Sequence, residues 1–252
     1  MTGSNSKLGD LYVNNTAFMS EYVRYQERYF STIRKSDLVL IGLVEQALKK
    51  LGKDASLLDA ACSTGGLLFH LRKAFPDLRL VGGDLSDTSI AKCLNDTRFK
   101  DVDFDVMDIC DLKSPQPRYD IVIANAVFYL FGTSKFSKAL NSIKNVLKPG
   151  GVILMFDFFH PYHHELEIIE YSERFPDGQP IHQRSYDKTN EKFLNNGFGM
   201  PTYLPFEIPI DLPDPGLDPT VTRTVTTIEG FRLPFRGTLY QPWCHLIAEK
   251  ED

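Results

Sequence analysis

His160, His163 and His164 follow closely on an apolar run, Gly151 to Phe156, that reads as a strand. Imidazole changes charge near neutral pH, so a histidine at a strand end suits proton transfer to or from a bound molecule. His160 lies nearest the strand, and Asp157, three residues before it, is placed to orient its ring. The alternative is that the rings cap or solvate a loop. A metal held by Asp157 with His160 or His163 would want a carboxylate at the end of the neighbouring strand, where Asn125 stands instead, so no metal is expected. Further along, Arg184-Ser185-Tyr186 and Arg236 lie in an irregular region. An arginine in a pocket suits a phosphate or carboxylate; a solvated surface arginine is the competing reading.

Carboxylates end two more strand-like runs. The first is Ser56-Leu57-Leu58-Asp59, followed by the small residues Ala60-Ala61-Cys62-Ser63-Thr64-Gly65-Gly66 and a helix-like stretch to Phe75. A strand, a tight loop and a helix N-terminus in succession let backbone N–H groups approach a ligand. Against the dinucleotide pattern G-x-G-x-x-G the loop offers Ala61, Ser63 and Gly66, so two of the three glycines are missing and NAD fits poorly. The second carboxylate is Asp84, after Leu80-Val81-Gly82-Gly83. It is placed either to accept ribose hydroxyls or to cap the next helix, and Ser86 or Asp87 suits the capping role better.

The elements needed to hold these residues can be read from periodicity. Strand-like runs at Ser56–Ala60, Leu78–Gly82, Val102–Val106, Tyr119–Ala124 and Gly151–Phe156 alternate with helix-like Gly66–Phe75, Thr88–Asn95 and Lys135–Leu147. Continuous apolar strands joined by helices imply a parallel sheet covered on both faces, with every C-terminal strand end on one rim. Before the sheet, residues 16–51 carry helical spacing, the second helix starting at Ser36-Asp37 and stopping at Gly52. After it, a helix is expected at Glu165–Arg174, then a polar stretch rich in Gly and Pro to Pro219 that serves as a cap. A hairpin turning at Glu229-Gly230 and a last strand, Trp243–Ala248, make the chain finish antiparallel. One domain over residues 1–252 results, with N-terminal helices at 16–51, a core at 55–157, a cap at 158–219 and terminal strands at 220–252.

Bulk properties narrow the function. The chain has 252 residues, 42% hydrophobic and 24% charged, as a globular protein does. Its formal net charge of -5 disfavours nucleic-acid and membrane partners, and no stretch nears the roughly 20 apolar residues of a membrane span. Cys62, Cys93, Cys110 and Cys244 form no Cys-x-x-Cys pair, and the polar N-terminus lacks a secretory core, so free thiols and a cytoplasmic setting are expected.

The loop Leu57–Gly66, the rim segment Gly83-Asp84-Leu85-Ser86, the stretch Val106-Met107-Asp108-Ile109-Cys110, the strand end Ile123-Ala124-Asn125 and the turn Leu147-Lys148-Pro149-Gly150-Gly151 stand in fixed order. Together they resemble the class I S-adenosylmethionine (SAM)-dependent methyltransferases over residues 55–157. The resemblance implies a mostly parallel, seven-stranded, Rossmann-like α/β sheet with antiparallel C-terminal strands. It implies SAM as methyl donor and S-adenosylhomocysteine as product. Asp59 would lie under the methionine moiety, with Ala61, Ser63 and Gly65 giving close backbone. Asp84, followed by Leu85, would hold the ribose hydroxyls. Asp108 and the Ile109 N–H would meet adenine, and Asn125 would face the methionine amino group. Tyr29 and Arg34 would close over its carboxylate. The expected acceptor is a small molecule, first a hydroxyl of a sugar or secondary metabolite with His160 as base. An amine acceptor, or a silent SAM-fold binding protein, is the alternative. Tyr129, His163, Arg184 and Tyr186 would contact the acceptor, and a homodimer is left open.

Overall fold

A computed structural model describes residues 16–114, 116, 118–171, 175–207, 222–236, 239–240 and 242–251. The apolar runs become the parallel strands β1 (Ser56–Asp59), β2 (Arg79–Asp84), β3 (Asp103–Val106), β4 (Tyr119–Asn125) and β5 (Leu147–His160). They are joined by α3 (Gly66–Ala74), α4 (Asp87–Leu94) and α5 (Thr133–Val146), after the N-terminal helices α1 (Thr16–Glu27) and α2 (Lys35–Leu51). The remaining elements are β6 (Leu166–Glu170), β7 (Gln179–Ser185), α6 (Tyr186–Asn195), β8 (Thr202–Pro205), β9 (Thr222–Thr226), β10 (Arg232–Arg236), β11 (Leu239–Tyr240) and β12 (Trp243–Glu249).

The main sheet runs β3-β2-β1-β4-β5-β12-β8, with β12 antiparallel to both neighbours. Its two faces carry separate apolar layers. Within β4, Ile121 and Ile123 pack with Leu57, Leu68, Leu40 and Val44, while Val122 and Ala124 pack with Phe136, Leu140 and Phe193 on the other side. That alternation is the pleat of a strand covered by helices on both faces. At the N-terminal ends of the strands, Asp120 accepts hydrogen bonds from the Ser56 N–H at 2.8 Å and from Lys148 Nζ at 2.6 Å. The carboxylates of β1 and β2 therefore belong to the opposite rim.

The expected order of elements holds from β1 to β5, and the terminal hairpin turns at Glu229-Gly230, where Gly230 takes φ +92°. Three expectations are corrected. Helix α2 begins at Lys35 rather than being capped by Ser36-Asp37, because Asp37 turns inward to pair with other side chains. The segment expected as a helix from Glu165 contains β6, paired antiparallel with β7 and so tied to β5. The stretch read as an irregular cap to Pro219 contains β7, α6 and the edge strand β8; its prolines 209, 213, 215 and 219 lie outside the described residues. Cys62, Cys93, Cys110 and Cys244 are buried free thiols, and no helix among the described residues is long and apolar enough to cross a membrane.

Candidate active site

A cavity of about 320 Å³ opens at the C-terminal ends of β1, β2 and β4. The β1–α3 loop contributes Ala61 and Ser63, β2 contributes Asp84, and α4 contributes Ser89. Asn125 and Ala126 come from the end of β4, followed by Tyr129 and Leu130 from the 3-10 turn Phe128–Leu130. Over this rim lie Met19 and Tyr22 of α1, and Glu170, Gln179 and Ile181 of the β6–β7 hairpin. A cleft of this size at strand ends is where open α/β sheets bind small ligands.

The backbone at the rim is held in unusual conformations. Gly65 takes φ +79°, and a Cβ there would stand 2.6 Å from the Phe99 ring, so the loop requires glycine at this position. Ser63 takes φ +50° and Ala126 φ +55°, left-handed values rare for residues with side chains. Ser63 is fastened by its N–H, which donates to Asp84 Oδ2 at 2.8 Å. Asp84 Oδ1 accepts from the Ser86 N–H at 2.9 Å, while Ser86 itself caps α4 through its hydroxyl. Asp84 is therefore not the helix cap. Burial raises its pKa, and the residue lines the cavity.

Three buried polar atoms at this end have no hydrogen-bond partner: Asp59 Oδ1, Ser63 Oγ and Ser89 Oγ. Burial pushes the Asp59 carboxyl up to about 7, against a hydrogen bond from the Ala61 N–H. Orphaned buried polar groups are costly unless a ligand completes them. Ser63 and Ser89 line the cavity with Asp84, and Asp59 lies behind it, so that the set is one a ligand rich in hydroxyl and amino donors would complete. Asn125 Nδ2 donates to Asp37 Oδ1 at 3.1 Å, and Asp37 Oδ2 pairs with Arg34 Nε at 3.2 Å. Arg34 also donates to Gln26, lies 4.3 Å from the Tyr29 ring centroid and reaches the N-terminus of α3 beside Gly66. Asp37 is the link that the sequence reading missed, and only its place in the first turn of α2 hinted at it.

Asp108 and Ile109 stand next to Asp84 across β3, since the Met107 N–H donates to the Asp84 carbonyl at 2.9 Å. Neither lines the cavity. Asp108 is exposed and accepts from the Cys110 N–H at 2.8 Å, Ile109 is buried, and Leu85 is 40% exposed.

The expected acceptor-side residues separate. Tyr129 lines the cavity. His160 ends β5, fully buried beside the Tyr162 and His164 rings, and burial depresses its pKa to about 4. It is not among the lining residues, so it is not positioned to take a proton from a molecule in this cavity. His163 is at the surface, paired with Asp187 at 2.7 Å. Tyr186 stacks on Tyr203 with centroids 3.8 Å apart.

Arg184 is buried and donates to the carbonyls of Phe128, at 3.0 Å, and Phe131. Asp157 accepts from the Phe128 N–H at 2.7 Å and from the Phe158 N–H at 2.8 Å. Asp157 and Arg184 thus grip from below the turn that presents Tyr129, and burial raises the Asp157 pKa to about 6 and lowers that of Arg184 to about 10. Neither orients His160 nor waits for an anion. The side chain of Arg236 lies outside the described residues.

The profile of a family described as "Methyltransferase domain" matches residues 51–193. Malonyl-[acyl-carrier protein] O-methyltransferase of Bacillus cereus is 25% identical over 56% of this chain and 51% of its own. Demethylmenaquinone methyltransferase of Thermus thermophilus is 32% identical over 47% of this chain and 53% of its own. This chain therefore aligns with about half the length of each of these curated relatives. Among solved structures, the 1,6-didemethyltoxoflavin-N1-methyltransferase of Burkholderia thailandensis, crystallised with S-adenosylhomocysteine, superposes over 95% of this chain and 88% of its own with a TM-score of 0.60 and 15% identity. At that identity the likeness shows the fold. The family match, covering more than half of the chain and including β1, the loop after it and α4, which carry the orphaned carboxylate and hydroxyls, shows that the chain belongs to the class I SAM-dependent methyltransferase family.

Proposed function

We propose that this protein transfers a methyl group from SAM to a small-molecule acceptor, and that the accepting atom, such as a neutral nitrogen, needs no imidazole base. The observation that carries the reading is the make-up of one continuous cavity. Asp84, Ser63, Ser89 and Asn125 form its cofactor end, and Tyr22, Tyr129, Glu170, Gln179 and Ile181 form the other. SAM supplies an electrophilic methyl on a sulfonium whose charge disappears as the methyl leaves. The chain's residues then have mainly to align and to exclude water, and alignment alone can contribute roughly 7–11 kcal/mol. The turn held by Asp157 and Arg184 fixes the Tyr129 wall, while α1 and the hairpin cover the rim. A hydroxyl acceptor would need its proton taken, and no histidine lines the cavity among the described residues. Proteins named for O-methylation and for N1-methylation are both similar to this chain, which leaves the choice of acceptor to the wall of the cavity.

Calorimetry with S-adenosylhomocysteine tests the cofactor assignment. Asp84→Asn should weaken binding by about tenfold or more, the scale of losing a charged acceptor's hydrogen bonds. An unchanged affinity, or no binding to the parent protein at millimolar ligand, would overturn it. His160→Ala tests the acceptor assignment. Its turnover should keep the parent rate and pH profile in the neutral range, and a rate lower by orders of magnitude with loss of the acid-side limb that a general base imposes would restore the hydroxyl reading.

A further inference from the structure

At the end of the cavity away from Asp84, β6 and β7 place Glu170 and Gln179 directly opposite each other. Both line the cavity. Gln179 is 9% exposed, and its Oε1 is buried with no hydrogen-bond partner. A buried carbonyl oxygen left unpaired costs free energy that a donor from a ligand would restore. Beside it, Glu170 brings a carboxylate, which is acceptor-only when ionised. Its charge reaches Tyr129, whose hydroxyl pKa is raised by burial first and then by Tyr22, Asp157 and Glu170. The walls around the pair are the aromatic residues Tyr22, Tyr129 and Phe175. Two acceptors set among aromatic side chains complement a group that carries N–H donors and positive charge, which rings also attract through their faces. The same wall repels a carboxylate or phosphate, because no arginine or lysine lines the cavity among the described residues.

We infer that Glu170 and Gln179 form a recognition subsite for a protonated or donor-rich nitrogen of the acceptor, distinct from the neutral atom that takes the methyl, so that substrates are small amines rather than organic acids or phosphate esters. This rests on the proposed acceptor end of the cavity and goes beyond it by naming the substrate class.

The test is a binding measurement on the full chain saturated with S-adenosylhomocysteine, using 2-phenylethylamine, 2-phenylethanol and phenylacetate as probes of the same size. The amine should bind about tenfold or more tightly than the alcohol, with the acid weakest. Glu170→Gln and Gln179→Leu should each remove most of that preference while leaving S-adenosylhomocysteine affinity as in the parent, which also shows that the variants fold. Equal binding of the three probes, tighter binding of phenylacetate, no amine binding at millimolar concentration, or a preference unchanged in Glu170→Gln overturns the subsite. Because S-adenosylhomocysteine is measured separately, its failure to bind would sink the methyltransferase reading and not be confused with failure of the subsite.

Discussion

Ser63 and Ala126 are the non-glycine residues with left-handed backbone among the described chain, and both line the cavity. Such conformations cost roughly 1–2 kcal/mol each and persist where neighbours hold them. Ser63 is held on both sides: its N–H binds Asp84, and its carbonyl accepts from the Cys62 and Cys93 thiols. The loop thus trades backbone ease for a hydroxyl that faces the cofactor end. Ser63→Gly should therefore separate stability from binding. The unfolding free energy should stay level or rise by up to about 1 kcal/mol, while affinity for S-adenosylhomocysteine falls severalfold. A loss of stability in urea melts would show that the strain is not there. Gly65→Ala should do the opposite, losing about 2 kcal/mol or more, because φ +79° and the Phe99 ring both exclude a Cβ.

Among the elements, what the sequence revealed and what it hid follow from burial. Strands β1, β4 and β5 were legible because burial on both faces makes them nearly continuous apolar runs, as Ile121–Ala124 and Ile153–Phe156 show. Asp59, Asp84 and Asn125 were legible because such runs end on them. The β6–β7 hairpin was not, since Leu166-Glu167-Ile168-Ile169-Glu170 is half-exposed and too short to distinguish strand from helix spacing. Helix α6 buries only Thr189 and Phe193, which leaves little stripe to read. Glu170 and Gln179 consequently carried no motif, and Arg184 suggested a ligand contact although it serves the fold. Its buried guanidinium lies 4.5 Å from the Phe136 ring centroid and ties β7 to the turn bearing Tyr129. Arg184→Met should cost about 1–3 kcal/mol, because the Phe128 and Phe131 carbonyls lose their donor at a buried site. Urea denaturation measures this, and in the folded fraction the KM for the acceptor should rise more than that for SAM. A cost below about 1 kcal/mol would mean that the turn is held without it.

For the molecule as a whole, buried titratable groups set a pH dependence whose sign can be worked out. Burial lowers the pKa of His160, His182 and His245 to about 4. An unfolded histidine titrates near 6.5, so between about pH 4 and 6.5 the unfolded chain binds protons at these positions that the native state does not. Stability then rises with pH. Asp59 and Asp157 act in the opposite sense. Burial raises them to about 7 and about 6, so the native state holds protons that unfolded carboxylates, titrating near 3.9, have already lost. Near pH 6 the three histidines outnumber Asp59 and the half-protonated Asp157, while Asp37 and Asp84, also raised by burial, narrow the margin. The urea midpoint should accordingly climb from about pH 5.5 and level off near pH 7, where the histidine contribution fades and Asp59 offsets the remainder. Asp59→Asn removes one opposing group, so its midpoint should climb more steeply over the same interval and exceed the parent's most at pH 7 and above. S-adenosylhomocysteine should protect the parent more than the variant, because the ligand would complete the orphaned Asp59 Oδ1. A parent midpoint that falls between pH 5.5 and 7 would show that the histidines do not lead, and an Asp59→Asn slope no steeper than the parent's would show that Asp59 is not the carboxylate opposing them.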